Sequence, residues 1–212
     1  MKLLLTSTGI TNDALARALT QLTGKKPEDV KIGFIPTAAN VEEGNKDWFI
    51  GQLTNLNKYG YSWIDIIDPS AAGVDWETRL SETDVVYISG GNTFHLLDQV
   101  RKTGFDTWLE AHKQDKIFVG SSAGSILMTP SIAVAGVEPG DPNLPGIADL
   151  RGMSWVTFEI SPHVPEMVAP ESSIAYQSTT GCELYLIDDS TGILVEDGTI
   201  EVITEGKWKK VV

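Results

Sequence analysis

Apolar positions along this chain fall into short continuous runs, separated by stretches in which they recur every three or four residues. Lys2-Leu3-Leu4-Leu5-Thr6 is the first run. After it, Asp13-Ala14-Leu15-Ala16-Arg17-Ala18-Leu19 puts its apolar residues on one helical face, with Asn12 as cap and Gly24 as stop. The alternation then repeats. Lys31–Thr37 predicts a strand, Glu42–Tyr59 a helix, Tyr61–Ile67 a strand, Trp76–Leu80 a short helix and Asp84–Ile88 a strand. Phe94–Val100 carries one apolar stripe, two further helical turns pass through Trp108 and Leu109, and Lys116–Val119 returns to strand. Strand runs that are apolar throughout, rather than at every second residue, belong to a sheet covered on both faces. The pattern therefore predicts a three-layer α/β/α sandwich with a mainly parallel central sheet, one domain spanning residues 1–212.

The rhythm breaks after residue 130. Val137-Glu138-Pro139-Gly140-Asp141-Pro142-Asn143-Leu144-Pro145-Gly146 is too long for a tight turn and too rich in proline and glycine for a helix, and loops of this kind usually border a site. A lid is expected there. Beyond it come a strand over Val156–Ile160 ending at Ser161-Pro162-His163-Val164-Pro165, a helix around Ser172–Gln177 and a strand over Leu184–Ile187. Glu196-Asp197-Gly198-Thr199 predicts a hairpin turn.

Composition narrows the partners. The 212 residues are 42% hydrophobic, enough for one sizeable core, and the net charge of -13 argues against nucleic acid or an anionic membrane surface as a partner. The lone Cys182 rules out an internal disulfide framework, and with no charged-then-apolar leader a cytoplasmic location is expected. The apolar run at Leu3-Leu4-Leu5 is too short to span a membrane. Cys182, Trp155 and Trp208 are expected to serve packing, and the oligomeric state stays open between monomer and homodimer.

The chemistry concentrates where strand meets helix in Ile117-Phe118-Val119-Gly120-Ser121-Ser122-Ala123-Gly124-Ser125-Ile126-Leu127. G-x-S-x-G at such a junction predicts a nucleophile elbow, which lifts the Ser122 hydroxyl above the sheet and leaves the Ala123 N–H free at a helix start. A serine needs a base, and the chain has three histidines. His112 sits on a polar helix face and His95 in a first helical turn, whereas His163 follows a strand, on the rim where a parallel sheet gathers its active site. Two carboxylates are candidates to orient it: Glu138, giving the order Ser, acid, His, and Asp189, giving Ser, His, acid. Gly90-Gly91-Asn92-Thr93 also joins a strand to a helix, so its amides are expected to complete an oxyanion hole. Metal-binding spacings are absent.

Taken together, Gly90-Gly91-Asn92-Thr93-Phe94-His95-Leu96-Leu97, Gly120-Ser121-Ser122-Ala123-Gly124 and Ile160-Ser161-Pro162-His163 resemble the peptidase E family of serine peptidases. The resemblance runs over nearly the whole chain and implies a class I glutamine amidotransferase-like fold, cofactor-free hydrolysis, Ser122 as nucleophile, His163 as base, and Gly91 with Ala123 as oxyanion hole. Where dipeptidase E carries its third triad residue, the nearest acid here is Glu138; the related cyanophycinase pattern selects Asp189 instead. Glu138 ranks first. The family's arginine-containing segment after the base has no counterpart, since Glu166–Gln177 holds neither arginine nor lysine, which leaves aspartyl specificity in question. Asn92 and Arg151 remain the candidate substrate-binding residues. The expectation is a serine peptidase acting on dipeptides or short peptides, with an isoaspartyl or cyanophycinase-like hydrolase and a non-catalytic α/β binding domain as alternatives.

Overall fold

The structure is a computed structural model that describes all residues, 1–212. Five strands, β1 (Lys2–Thr6), β2 (Lys31–Ile35), β3 (Trp63–Ile66), β4 (Val85–Ile88) and β5 (Ile117–Ser121), run parallel in the order β3-β2-β4-β5-β1. The antiparallel strands β8 (Thr191–Glu196) and β9 (Thr199–Thr204) extend this sheet beyond β1 to seven strands. Asp197 and Gly198 join them with positive φ at both positions (49° and 85°), as a two-residue hairpin turn requires.

The leucine run explains the layering. Leu3, Leu4 and Leu5 are all fully buried, and alternation along the strand sends Leu4 to one face and its neighbours to the other. On Leu4's face pack α1 (Asp13–Thr23) and α2 (Asp47–Lys58), against Ile32, Phe34 and Tyr87. Opposite lie α4 (Thr93–Thr103), α5 (Phe105–Ala111) and α6 (Ala123–Leu127), closing over Leu3, Leu5, Val86, Ile88 and Phe118; the short α3 (Trp76–Ser81) adds Leu80 to the same core. The α1 boundaries follow the sequence: the Asn12 side chain accepts from the Leu15 N–H, and Gly24 ends the helix at φ 61°. No helix is long and apolar enough to cross a membrane.

Three element boundaries differ from expectation. The helix predicted from Glu42 begins at Asp47, because Gly44 adopts φ 81° and interrupts the winding. The strand predicted from Val156 begins only at Glu159, and the helix predicted over Ser172–Gln177 runs from Pro170, favoured at a first helical position, to Thr180. A fourth difference is a separate three-stranded sheet, β10-β7-β6, built from β6 (Glu159–Ser161), β7 (Leu184–Ile187) and β10 (Trp208–Val211). Within it β6 and β7 are parallel, in a register that sets Ser161 beside Leu186. The helix α7 (Pro170–Thr180) connects these two strands.

Candidate active site

The segments that follow β1, β4, β5, β6 and β7 converge at the carboxyl ends of these strands. At the end of β5, Ser122 is held at φ 48°, ψ -108°, a region that costs a non-glycine residue about 1–3 kcal/mol. Its surroundings hold it there. The Ser122 N–H donates to the Thr6 carbonyl at 3.0 Å, and the Ser125 hydroxyl donates to the same oxygen at 2.7 Å. A Cβ on Gly120 would lie 2.6 Å from the Ser125 nitrogen, and one on Gly124 would strike the Ile88 carbonyl, so both glycines of the motif are sterically required.

His163 leaves β6 with φ 60°, its N–H donating to the Ser7 hydroxyl at 2.9 Å. Its Nε2 lies 2.9 Å from Ser122 Oγ and its Nδ1 lies 2.7 Å from Asp189 Oδ1. The network assigns the proton to Nδ1, leaving Nε2 to accept from the serine. Asp189 Oδ1 also accepts from the Ser7 hydroxyl at 2.7 Å and the Thr8 hydroxyl at 2.5 Å. Burial alone would raise the Asp189 pKa; the hydrogen bonds from His163, Thr8 and Ser7 and the His163 charge outweigh it and bring the carboxyl down to about 2.

The carboxylate at His163 is therefore Asp189, not Glu138. Because β6 and β7 run parallel with Ser161 beside Leu186, the residues that follow them, His163 and Asp189, emerge side by side. Glu138 is exposed, and its loop turns the carboxylate three residues further on, Asp141, toward the cleft instead. The neighbouring Asp188 does different work: buried, it accepts from the Ser190 N–H at 3.0 Å and the Thr191 hydroxyl at 2.6 Å, and so fixes the corner that presents Asp189.

Gly91 has φ 131°, and a Cβ there would run into the Ala38 backbone carbonyl. Its N–H takes no backbone acceptor, and the Ala123 N–H, first in α6, has no intrahelical one. Gly90 carries this loop against the elbow: a Cβ on it would sit 3.2 Å from Ser122 Cβ. In Gly91→Ala the loop must shift to relieve the collision, taking an amide donor with it. A loss of about 10²–10³ in kcat is expected from steady-state kinetics.

Asn92 and Arg151 are not in the cleft lining. Asn92 is fully buried; its Oδ1 caps α4 by accepting from the His95 N–H at 2.8 Å, and its Nδ2 donates to the Pro142 carbonyl at 3.0 Å. It ties the Pro-rich loop down. Asn92→Ala should lower stability by about 1–2 kcal/mol, read from the denaturant midpoint, because a cap and a buried amide partner go together. The Arg151 side chain is 83% exposed and bonds bidentately to Asp149 at 2.9 and 2.6 Å, on another face of the protein. The other histidines lie apart from Ser122 as well. His112 stacks on Trp108 with ring centres 4.0 Å apart rather than standing in solvent, and His95 is half-buried on α4, where burial pulls its pKa down.

The cleft has two lobes, of about 210 and 300 Å³, that share Ser122, His163, Asp141 and Met167. The smaller is walled by Val134 and by Val137 and Pro139 of the Pro-rich loop. The larger adds Trp48, Glu42, Gln52 and Gly91. Neither contains lysine or arginine. Sequence reasoning missed Ser7, Thr8, Glu42, Gln52 and Asp141; only Ser7 and Thr8 carried a signal, being hydroxyls just past the carboxyl end of the parallel strand β1. No group of three or more His, Cys, Asp or Glu side chains is placed to hold a metal ion.

Known proteins share this chain's sequence and shape. The chain is 32% identical to an uncharacterized peptidase of Pasteurella multocida over 177 residues, covering 81% of this chain and 84% of that one. It is 26% identical to peptidase E of Streptomyces coelicolor over 204 residues, 93% of this chain and 74% of the relative. A crystal structure of a candidate peptidase E protein from Listeria monocytogenes superposes with a TM-score of 0.79 at 24% identity, over 97% of this chain and 98% of that chain. That superposition speaks for the fold, a mixed α/β architecture on a large, mainly parallel sheet. For the family the sequence itself speaks: the pattern of Peptidase family S51 runs through residues 3–203, nearly end to end, and the chain is a member of that family.

Proposed function

We propose that this peptidase works as a serine hydrolase on dipeptides or short peptides, through an acyl-enzyme. The observation that carries the reading is His163, bonded on one side to Ser122 Oγ at 2.9 Å and on the other to Asp189 at 2.7 Å. In the first half-reaction Nε2 takes the serine proton as Oγ attacks the scissile carbonyl. Asp189, ionised, stabilises the imidazolium, and the Gly91 and Ala123 amides receive the oxyanion. The imidazolium then protonates the leaving amine. Water, deprotonated by the same histidine, attacks the ester and frees the second product with Ser122 restored.

Short substrates are favoured by the cleft's size, since the docked loop from Val137 onward walls one lobe. An aspartyl side chain is not favoured, because the lining offers it carboxylates and no guanidinium or ammonium partner. Hydrolysis of a panel of α- and β-linked dipeptides and longer peptides tests the reading. Turnover of uncharged α-linked dipeptides is expected. Turnover confined to β-aspartyl substrates would transfer the enzyme to the isoaspartyl class, and none at all would favour a binding domain.

A further inference from the structure

The larger lobe contains polar groups that the hydrolytic cycle does not use. Gln52, on α2, is only 3% exposed; its Oε1 accepts from the Tyr87 hydroxyl at 3.1 Å, while its Nε2 has no hydrogen-bond partner in the protein. That amide lies 3.9 Å from where a Cβ on Gly90 would be, and the same Cβ position lies 3.2 Å from Ser122 Cβ. That amide opens onto the cleft, where no protein acceptor meets it, within one side chain's reach of the nucleophile.

Asp141 lines the same lobe. Its Oδ2 accepts from the Thr93 N–H at 2.8 Å, and no lysine or arginine pairs with it. Burial raises its pKa, and the Thr93 bonds and His163 charge offset only part of that. Glu42 lines the same lobe, its pKa raised by burial and then by Asp141, with Lys46 a partial offset. Lys46 Nζ is engaged elsewhere, donating to the Ala39 carbonyl at 2.9 Å and to the Glu42 carbonyl. The lobe thus combines a carboxylate short of positive charge with a carboxamide short of an acceptor.

We propose that this lobe is the subsite for a peptide's N-terminal residue, with Asp141 taking the free α-ammonium and Gln52 donating to a neutral side-chain oxygen. The inference rests on the peptidase reading above, which puts the N-terminal residue's carbonyl on Ser122 and its oxyanion on the Gly91 and Ala123 amides. That leaves the ammonium and the side chain of this residue to be bound. A carboxamide satisfies Gln52 without adding charge beside Asp141 and Glu42, whereas a carboxylate of the same shape adds repulsion. The selected substrates are therefore peptides with a free amino terminus and an uncharged polar first residue, asparagine over aspartate. Trp48 and Met167 supply the apolar walls around it.

Binding and turnover separate the two readings. Ser122→Ala, which cannot form the acyl-enzyme, is titrated calorimetrically with Asn-Leu, Asp-Leu and N-acetyl-Asn-Leu, while wild type is assayed for hydrolysis of the same peptides. Asn-Leu should bind at least about tenfold more tightly than either of the others, the scale of a charge-assisted contact. Adding Asp141→Asn, whose amide oxygen still accepts from Thr93, should bring the free and acetylated peptides to within about twofold. Asn-Leu should also bind more tightly than Leu-Leu, titrated in parallel, and adding Gln52→Met should erase that advantage. Equal affinity for free and acetylated peptide, a gap that survives Asp141→Asn, or no binding of any peptide overturns the proposal. Hydrolysis without amino-terminal preference sinks only the subsite. Selective binding without hydrolysis sinks the peptidase reading and keeps the subsite.

Discussion

Ser122→Ala should reduce kcat by at least about 10⁴-fold while leaving the protein folded, because the nucleophilic oxygen has no substitute within the site. Ser121, the adjacent hydroxyl, is buried below the elbow and has no hydrogen-bond partner, hence no base to activate it. Cys182 is remote from the cleft lining, and burial first of all raises its thiol pKa, which keeps it a poor nucleophile. The substitution removes only the hydroxyl and leaves the Cβ at the same positive φ, so the backbone strain is unchanged. Thermal stability should therefore hold while turnover of every substrate falls. Retained turnover in the alanine variant would mean that another group carries the reaction.

The second large effect is expected at Asp189. In Asp189→Asn the side chain keeps its shape, but the amide no longer stabilises an imidazolium, and its NH2 group can turn toward Nδ1 and force the wrong tautomer. A fall of about 10³–10⁴ in kcat is expected, with KM little changed, because substrate touches neither group. Glu138→Gln should leave the rate within about twofold, since a surface carboxylate contributes little. The pair of variants decides between the two orders of triad residues. A stability effect accompanies the Asp189 change. The folded carboxyl titrates at about 2, below the unfolded value, so its contribution is present above the unfolded pKa and is lost as pH falls toward 2. With the side chain 36% exposed, solvent screening keeps that contribution modest. Wild type should therefore lose its stability advantage over Asp189→Asn as pH is lowered from about 5 toward 2, measured by denaturant unfolding.

What the sequence could disclose divides along the difference between local and long-range information. The elbow was legible because its chemistry is local: strand, two required glycines and helix occupy eleven consecutive residues from Ile117. The layering was legible in the fully buried run Leu3-Leu4-Leu5, whose continuous apolarity announces a strand covered on both sides. His163, which the fold sets beside Ser122, was singled out by its place after a strand. Its partner was not fixed in the same way, because Glu138 and Asp189 both sit in loops, and the choice depends on which strand lies beside β6. That neighbour is β7, which belongs with β6 to a small second sheet completed by β10 near residue 210, and nothing local in Glu159-Ile160-Ser161 names those partners. Asn92 was misread for a related reason: a side chain after Gly-Gly at a strand end serves a site or a helix cap equally well, and only the Pro142 carbonyl, 50 residues on, decides for the cap. Gln52 and Asp141 gave no signal, being ordinary polar residues in a helix and a loop until the fold brings them to one cleft.

The measurement that tests the central claim most directly is covalent labelling with a serine-directed phosphonate, read by intact mass and peptide mapping. The Ser122–His163–Asp189 arrangement predicts one adduct per chain, on Ser122, formed rapidly in wild type and at least about 10³-fold more slowly in His163→Ala. No adduct, an adduct on another residue, or a rate indifferent to His163 would contradict it.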